Sequence, residues 1–197
     1  SRRPWPLDER QLPKMFAASS LLFVPGSRPD RFAGAAAAGA DLVVIDLEDS
    51  VAADAKDAAR TAALDALSAA PDGRFALRIN ALTTAVGLQD LLALKAARLS
   101  PRFLLLPMVE SPAEPAIVAR VLDDPSVGLV PLVETAAGLQ AAPAIATAPQ
   151  VVALMFGGGD LAAELGVDLA WEPLLTAPSL LLLAAAAARI PAIDVPF

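Results

Sequence analysis

Short apolar runs recur along the chain, and each ends in a polar or charged residue before a segment rich in alanine and leucine. The runs are apolar throughout rather than alternating, which is typical of strands covered on both faces, as in a parallel sheet. They predict seven strands, at residues 21–26, 41–49, 75–80, 103–110, 127–134, 151–158 and 191–197. The segments between them predict helices, at residues 28–40, 53–70, 87–99, 113–122 and 138–148.

This alternation of strand and helix fits either an open, doubly wound sheet or a closed barrel. The turn after the first predicted strand reads FVPGSRPDR and lacks the glycine fingerprint of a dinucleotide-binding fold. Polar residues follow nearly every strand, at the end where a (β/α) barrel carries its catalytic groups. We therefore predict an α/β fold of the TIM-type (β/α) barrel, as one domain over residues 1–197, with residues 1–18 as a flexible N-terminal leader.

The strand ends carry charged residues that would all face one rim of the barrel: Asp46, Glu48, Asp49, Arg78, Glu110, Glu134 and Asp160. Glu134 and Asp160 follow adjacent strands, which lie roughly 5 Å apart in a sheet. Two carboxylates that close repel each other, and a divalent cation relieves the repulsion. Because the chain offers only oxygen ligands, Mg²⁺ is the favoured metal and Mn²⁺ is the alternative.

Three further features have two interpretations each. The glycines at residues 157–159, before a helix predicted to begin near Leu161, either expose N–H groups to a bound carboxylate or form only a tight turn. Arg78 either binds an oxyanion with its fork of N–H donors or neutralises the acidic rim. Asp49 and Ser50 belong either to the site or to the cap of the next helix, and we expect at least one carboxylate of the DLEDS cluster to cap that helix.

Composition narrows the chemistry that these residues can perform. Cysteine, histidine and tyrosine are absent, which removes thiol nucleophiles, histidine bases and zinc sites built from Cys or His. The net charge of −7 and the lack of a Lys or Arg run disfavour a nucleic-acid surface. The longest apolar stretch, residues 180–188, is far shorter than the roughly 20 residues that cross a bilayer. We therefore expect no membrane span and a cytoplasmic protein.

The chain also resembles a known family. The motifs LLFVPGSRPDRF, GADLVVIDLEDSVAADAKDAAR, LRIN followed by GLQDL, LLLPMVES, LVETAAGL and FGGGDLAAELG occur in the order and near the spacing of citrate lyase β-subunit-like proteins of the HpcH/HpaI aldolase superfamily. The match runs from about Leu21 to Phe197, and a set of ordered motifs is far more specific than one motif alone. The resemblance implies a TIM-type barrel, usually a trimer or a dimer of trimers, that cleaves or forms a carbon–carbon bond beside an acyl-CoA carbonyl.

The resemblance also implies roles for particular residues. Glu134 in the ETA motif and Asp160 in the GGGDL motif correspond to the family's Mg²⁺ ligands, and Arg78 in LRIN corresponds to a substrate contact. The implied substrate is a citryl-CoA-, malyl-CoA- or citramalyl-CoA-like thioester, and the products are an acyl-CoA and an α-keto acid. Arg78, Glu48 and Asp49 form the predicted catalytic group, in which the two acids orient Arg78 or a metal-bound water. The predicted substrate-binding set is Phe23, Arg78, Glu134, Gly158, Gly159 and Asp160.

The chain departs from the family pattern in three places. Met108 stands where the family has lysine in LPKVES, and Pro178 replaces an arginine in the stretch TAPS. The sequence also ends with the seventh strand, so we expect the eighth strand to be missing, together with a C-terminal region that reaches a neighbouring subunit and brings an acidic catalytic residue. Three interpretations stay open: a fragment, a barrel closed by a neighbouring chain of a homo-oligomer, or a reduced relative with altered activity.

The functional alternatives are an aldolase that acts on free α-keto acids without CoA, an acyl-CoA thioesterase, and a non-catalytic binding or assembly subunit. All of them use a small-molecule ligand rather than a nucleic acid or a membrane.

Overall fold

The computed structural model describes residues 16–70 and 73–194. Within them, seven parallel strands form one sheet: β1 (Leu21–Pro25), β2 (Leu42–Asp46), β3 (Phe75–Arg78), β4 (Phe103–Leu106), β5 (Gly128–Val133), β6 (Leu154–Phe156) and β7 (Ala192–Ile193). Each strand pairs with the next one in the sequence. A doubly wound sheet would reverse its order part-way. The predicted incomplete barrel is therefore confirmed, since β1 and β7 do not pair with each other among these residues.

Helices connect the strands on the outside of the sheet: α1 (Phe32–Ala37), α2 (Lys56–Ala69), α3 (Ala85–Ala97), α4 (Ala113–Leu122), α5 (Ala136–Ala146), α6 (Gly158–Leu165), α7 (Trp171–Leu174) and α8 (Thr176–Ala188). The predicted helices are all present. The sequence did not predict α7 or α8, because the α8 segment carries no charged residue and shows no helical period. None of the helices that the structure describes is long and apolar enough to cross a membrane.

Alternation along each strand divides the core into two layers. In β2, Val43 and Ile45 pack with the helices in one buried cluster, whereas Leu42 and Val44 belong to a second cluster inside the barrel. Successive side chains of a strand point to opposite faces of the sheet, so every second residue enters the interior.

The same alternation brings polar residues to the interior at the carboxyl ends of the strands. Asp46 continues the inward series of β2 as its last residue. Arg78 comes two positions after the interior residue Ala76 of β3, and Glu134 comes two positions after Leu132 of β5. These three charged side chains therefore converge above an apolar barrel interior.

Phe16 packs at the opposite end of the barrel, where its ring centroid lies 4.7 Å from that of Phe103. It is buried in the interior cluster, although the sequence analysis placed it in the leader. The rest of the predicted leader up to residue 15 lies outside the described residues, as do residues 195–197 of the last predicted strand.

The predicted strands extend too far at their carboxyl ends. In particular, β2 ends at Asp46, so Glu48 and Asp49 lie in the loop that follows it rather than on the strand. The loop position leaves their side chains free to turn towards Arg78, which a strand would not allow for two consecutive residues.

Candidate active site

A cavity of about 940 Å³ extends from the carboxyl ends of the strands along β1, as far as Ser19 and Ser20 before that strand. The whole predicted substrate-binding set lines it: Phe23, Arg78, Glu134, Gly158, Gly159 and Asp160. Asp49 lines it too, whereas Glu48 is connected to it through a contact with Arg78. Asp46 and Ser50 of the DLEDS cluster also line it, whereas Ser19, Ser20 and Asp194 are wall residues that the sequence pattern did not indicate. The alternation along β2 indicates that Asp46 points into the barrel, because it stands two positions after the interior residue Val44.

Three carboxylates hold Arg78 in place. Its Nε and Nη2 donate to the two oxygens of Asp46 at 2.6 and 2.8 Å, a forked geometry that only arginine provides. Its Nη1 lies 2.8 Å from Glu48 Oε2 and 3.4 Å from Asp49 Oδ2. The guanidinium also stands over the Phe23 ring, 5.4 Å from its centre. Arg78 does neutralise the acidic rim, and its main partner is Asp46.

Asp46 is almost fully buried and organises the loop after β2. Its Oδ1 accepts a hydrogen bond from the Glu48 amide at 2.9 Å, and its Oδ2 accepts from the amide and the hydroxyl of Ser50. Burial opposes its ionisation, but the hydrogen bonds and charge of Arg78 outweigh burial and lower the pKa of Asp46 below its ordinary value. Burial also opposes the charged form of Arg78, yet Asp46 raises the pKa of that guanidinium. The pair is therefore ionised.

The DLEDS cluster does not cap a helix. A single 3-10 turn, Ala53–Ala55, leads into α2, and neither of these two elements begins with a side-chain cap. The prediction that one of these carboxylates caps the next helix is therefore wrong. The buried Arg78 holds the Asp46 carboxylate at the end of β2, where it accepts from amides of its own loop instead.

Glu48 combines a buried carboxylate oxygen with negative neighbours. Its Oε2 approaches Arg78 Nη1 at 2.8 Å but makes no aligned hydrogen bond, so the water that it loses is incompletely replaced. Burial raises the pKa of Glu48 to about 7, with the charge of Arg78 opposing and the charges of Asp49 and Glu134 reinforcing the rise. Near neutral pH this carboxyl can therefore hold a proton that an ordinary acid would have released.

The titration of Glu48 predicts how stability depends on pH. The native carboxyl keeps its proton up to about pH 7, whereas the unfolded one releases it near 4.5, so the native state binds more protons between these values. The free energy of unfolding therefore falls as pH rises through this window. In metal-free buffer, the free energy of unfolding of the wild type should fall by on the order of 2 kcal/mol more than that of Glu48→Gln as the pH rises from 4.5 to about 7. Urea denaturation at several pH values measures the difference, and parallel curves for the two proteins would contradict it.

Glu134 directly follows β5 and is held by the backbone of the β4 end. Its side chain is buried, and its Oε1 accepts a hydrogen bond from the Met108 amide at 2.7 Å. Met108 has a φ of 55°, a left-handed conformation that few residues other than glycine adopt. Burial raises the pKa of Glu134; the Met108 amide opposes the rise, and the charge of Asp160 adds to it. The two predicted metal ligands therefore interact electrostatically.

Gly157 makes room for Glu134. A Cβ added at Gly157 would lie 2.2 Å from Glu134 Oε2, whereas one added at Gly159 would meet nothing within 4 Å. Helix α6 begins at Gly158, earlier than predicted, so Gly158, Gly159 and Asp160 form its first turn. First-turn amides have no acceptor within their own helix, and the helix dipole favours an anion beside them. Gly157 thus has a steric role beside Glu134, whereas anion binding by the glycine loop stays a prediction.

Glu134 and Asp160 fit a hard divalent cation. Both line the cavity, and among residues 16–70 and 73–194 no group of three or more His, Cys, Asp or Glu side chains is arranged to hold a metal. Proteins usually bind Mg²⁺ through one or two carboxylates, while water and substrate oxygens fill the other positions. A pair of carboxylates beside an open cavity matches that coordination. Their assignment as metal ligands stays a prediction.

Comparison with known proteins identifies the group to which this arrangement belongs. The model of the family described as HpcH/HpaI aldolase/citrate lyase matches residues 19–196. The chain belongs to that family.

Three relatives within the family differ in their described activities. A citrate lyase subunit beta-like protein from Mycobacterium tuberculosis is 42% identical over 150 residues, which cover 76% of this chain and 51% of the relative. A (3S)-malyl-CoA thioesterase from Cereibacter sphaeroides is 36% identical over 149 residues, which cover 75% of this chain and 51% of the relative. The human mitochondrial citramalyl-CoA lyase is 32% identical over 182 residues, which cover 82% of this chain and 53% of the relative. The chain spans about half the length of these relatives.

A solved structure shows ligands bound in this family. CitE from Mycobacterium tuberculosis, in complex with magnesium, acetoacetate and coenzyme A, superposes with a TM-score of 0.77 at 39% identity, over 90% of this chain and 66% of that chain. The predicted resemblance to citrate lyase β-subunit-like proteins is thereby confirmed.

Two departures from the family pattern have a structural explanation. Met108 contributes its backbone amide to Glu134, a contact that does not depend on the side chain at that position. Pro178 is the third residue of α8, and a proline in the first turn costs no hydrogen bond because that N–H has no acceptor in the helix.

Proposed function

We propose that this chain carries the Mg²⁺ and keto-acid site of a carbon–carbon lyase that cleaves a citryl-CoA-, malyl-CoA- or citramalyl-CoA-like thioester into an acyl-CoA and an α-keto acid. The observation that carries the proposal is the single cavity of about 940 Å³ that brings together Arg78, Glu134, Asp160 and the first turn of α6. Family membership and the ligands of the CitE structure support it.

The proposal assigns each group a physical task. Glu134 and Asp160 would hold the metal, which when bound supplies a Lewis acid for the keto-acid oxygen on which negative charge develops. Arg78 places a fixed positive charge beside that oxygen, and Asp46 keeps the guanidinium from turning away. The amides of Gly158 and its neighbours offer donors to the keto-acid carboxylate.

Two acids and one ring complete the proposed site. Glu48 and Asp49 contact Arg78 and set the charge around it, and the raised pKa of Glu48 suits a group that holds a proton near neutral pH. Phe23 covers part of the guanidinium and limits its contact with water. An acyl-CoA is the partner substrate in this proposal.

The outer face of α8 supports the further proposal that the chain works as a homo-oligomer, a trimer or hexamer. Leu182 and Leu183 expose 58% and 66% of their surface on a helix without a charged residue. A helix that is apolar on all sides is usually buried, so another surface is expected to cover it. We propose a cytoplasmic location as part of the same hypothesis.

The second candidate is an acyl-CoA thioesterase, which the malyl-CoA thioesterase relative favours. It would use the same carboxylate pair and Arg78, with water attacking the thioester rather than the carbon–carbon bond breaking. The two candidates differ in what happens to the acid part of the substrate, so their products separate them.

The test follows each product separately. We expect the purified chain with Mg²⁺ to convert citryl-, malyl- or citramalyl-CoA into equal amounts of acyl-CoA and keto acid. Free CoA with the intact acid would indicate the thioesterase, and cleavage of only the free acids would indicate a CoA-independent aldolase. Without turnover and without Mg²⁺-dependent keto-acid binding, a non-catalytic subunit would be the better description.

A pair of variants ties the reaction to the proposed metal site. Glu134→Gln should lower kcat at least about 100-fold, since it removes a ligand of the charge-stabilising metal. Glu110→Gln is the matched control, because Glu110 follows the neighbouring strand β4 but is not among the residues that line the cavity. Equal losses in both variants would contradict the assignment of Glu134.

A further inference from the structure

Lys56 stands in an electrostatically unfavourable place. It is the first residue of α2, where the positive end of the helix dipole disfavours a cation. No carboxylate of the described residues lies within ion-pair distance of its ammonium. A lysine placed against local preference points to a constraint from elsewhere in the molecule.

The constraint is visible in the oxygens around the ammonium. Nζ donates to the Leu47 carbonyl at 2.7 Å, to the Glu48 carbonyl at 2.6 Å and to Asn80 Oδ1 at 2.7 Å. An ammonium has three N–H donors, so all of them are used. Two of the acceptors belong to the loop after β2, and the third follows β3. Lys56 therefore joins that loop to the neighbouring strand end.

Asn80 is a rigid anchor for this contact. Its side chain is buried, and its amide nitrogen Nδ2 and its backbone N–H both donate to Asp90 Oδ2, at 2.6 and 2.9 Å. The other oxygen of Asp90 accepts from Arg60 Nε at 2.6 Å. Since Nδ2 is committed to Asp90, only Oδ1 is left to face Lys56, and Asn80 cannot turn over without breaking a buried hydrogen bond.

The loop that Lys56 holds is the one that carries the acids beside Arg78. The Glu48 carboxylate lies 2.8 Å from Arg78 Nη1. The next residue in the loop, Asp49, lines the cavity. From the strand side, Asp46 already holds the loop through the Glu48 amide. Lys56 holds the carbonyl of the same residue, so both polar groups of the Glu48 backbone are fixed.

We propose that Lys56 is a positioning residue of this site: its ammonium clamps the Leu47 and Glu48 carbonyls to Asn80 and so holds Glu48 and Asp49 beside Arg78. The proposal rests on the lyase function proposed above, because it gives the acids of that reaction their geometry. Lys56 itself does not line the cavity, so the proposal gives it no contact with the substrate. If its three hydrogen bonds are lost, we expect Glu134 and Asp160 to stay in place and the two Arg78–Asp46 hydrogen bonds to remain.

The test compares Lys56→Met with Lys95→Met. Lys95 is the matched control, since its Nζ also donates to a backbone carbonyl, that of Leu122, at 2.7 Å, but outside the site. We expect Lys56→Met to lower kcat about tenfold or more while KM changes less than about threefold, because misplaced groups weaken the transition state more than substrate binding. Lys95→Met should leave both constants within about twofold. Lys56→Gln, which keeps a donor for one carbonyl, is expected to lie between Lys56→Met and the wild type.

A second readout does not depend on turnover. Amide hydrogen exchange at Glu48 and Ser50, measured without metal or substrate, should rise about tenfold in Lys56→Met and stay unchanged in Lys95→Met. If the wild type cleaves no thioester, the lyase proposal fails, whereas the exchange data still decide whether the clamp exists. Unchanged exchange in Lys56→Met, an equal rise in both variants, or faster exchange with a wild-type kcat would each overturn the inference.

Discussion

Replacing Gly157 by alanine is expected to weaken Mg²⁺-dependent keto-acid binding about 100-fold while the barrel stays folded. The new Cβ would lie 2.2 Å from Glu134 Oε2 and 2.4 Å from Glu134 Cβ. Because the clash involves Cβ as well as the carboxylate, rotation of the side chain does not relieve it, and the loop or the end of β5 must shift. A displacement of about 1 Å at a reacting centre lowers the reaction rate about 100-fold. Because the displaced group here is a proposed metal ligand, we expect a loss of about the same size in Mg²⁺-dependent keto-acid affinity.

Gly159→Ala provides the control for this prediction. It changes the same loop by the same methyl group, but the added Cβ meets nothing within 4 Å. Calorimetric titration with oxaloacetate or pyruvate in the presence of Mg²⁺, together with thermal unfolding, compares the two variants. We expect Gly159→Ala to retain Mg²⁺ binding. If Gly157→Ala bound Mg²⁺ and keto acid like the wild type, Glu134 would not be the metal ligand that we propose.

Arg78→Met is expected to destabilise the protein and to weaken keto-acid binding together. The side chain of Arg78 is 12% exposed and that of Asp46 is 2% exposed, so the substitution leaves a buried carboxylate without its partner. Breaking a buried pair in this way costs about 3–5 kcal/mol in the free energy of unfolding. Removal of a fixed positive charge that faces the cavity should also lower keto-acid affinity at least about tenfold.

Arg60→Met separates these two effects. The pair Arg60 and Asp90 has the same 2.6 Å separation and nearly the same exposure, 12% and 1%, but neither residue lines the cavity. The stability loss in urea should therefore match that of Arg78→Met. Mg²⁺-dependent keto-acid binding should stay within about threefold of the wild type, because Asp90 supports the Asn80–Lys56 contact, whose loss should lower kcat more than it weakens binding. A similar loss of binding in both variants would mean that Arg78 acts through stability alone.

Several site residues could be predicted because the information is local. An apolar strand that is followed by a charged residue places that residue at the carboxyl end of the sheet, and in a barrel all such ends share one rim. Glu134, Asp160 and Arg78 follow this rule, and they line the same cavity as the sequence analysis expected. Their catalytic and metal-binding roles stay predictions until the variants above are measured.

Other features could not be read from local pattern. The Arg78–Asp46 pair joins residues 32 positions apart, and the Lys56–Asn80 contact joins residues 24 positions apart. Nothing in either segment alone selects its partner among the several acids and amides nearby. The expected helix cap in the DLEDS cluster was wrong for the same reason, since the buried guanidinium of a different strand draws Asp46 to itself.

The sequence by itself determined the alternation of strands and helices, the barrel class and the rim on which the charged residues stand, because side-chain periodicity and the position of polar residues are properties of each segment. Only the tertiary structure decided which carboxylate holds Arg78, why Gly157 has no side chain and what Lys56 binds. Those contacts depend on the distances between segments that meet only after folding. A buried polar group needs a hydrogen-bond partner, and the folded chain decides which partners are close enough.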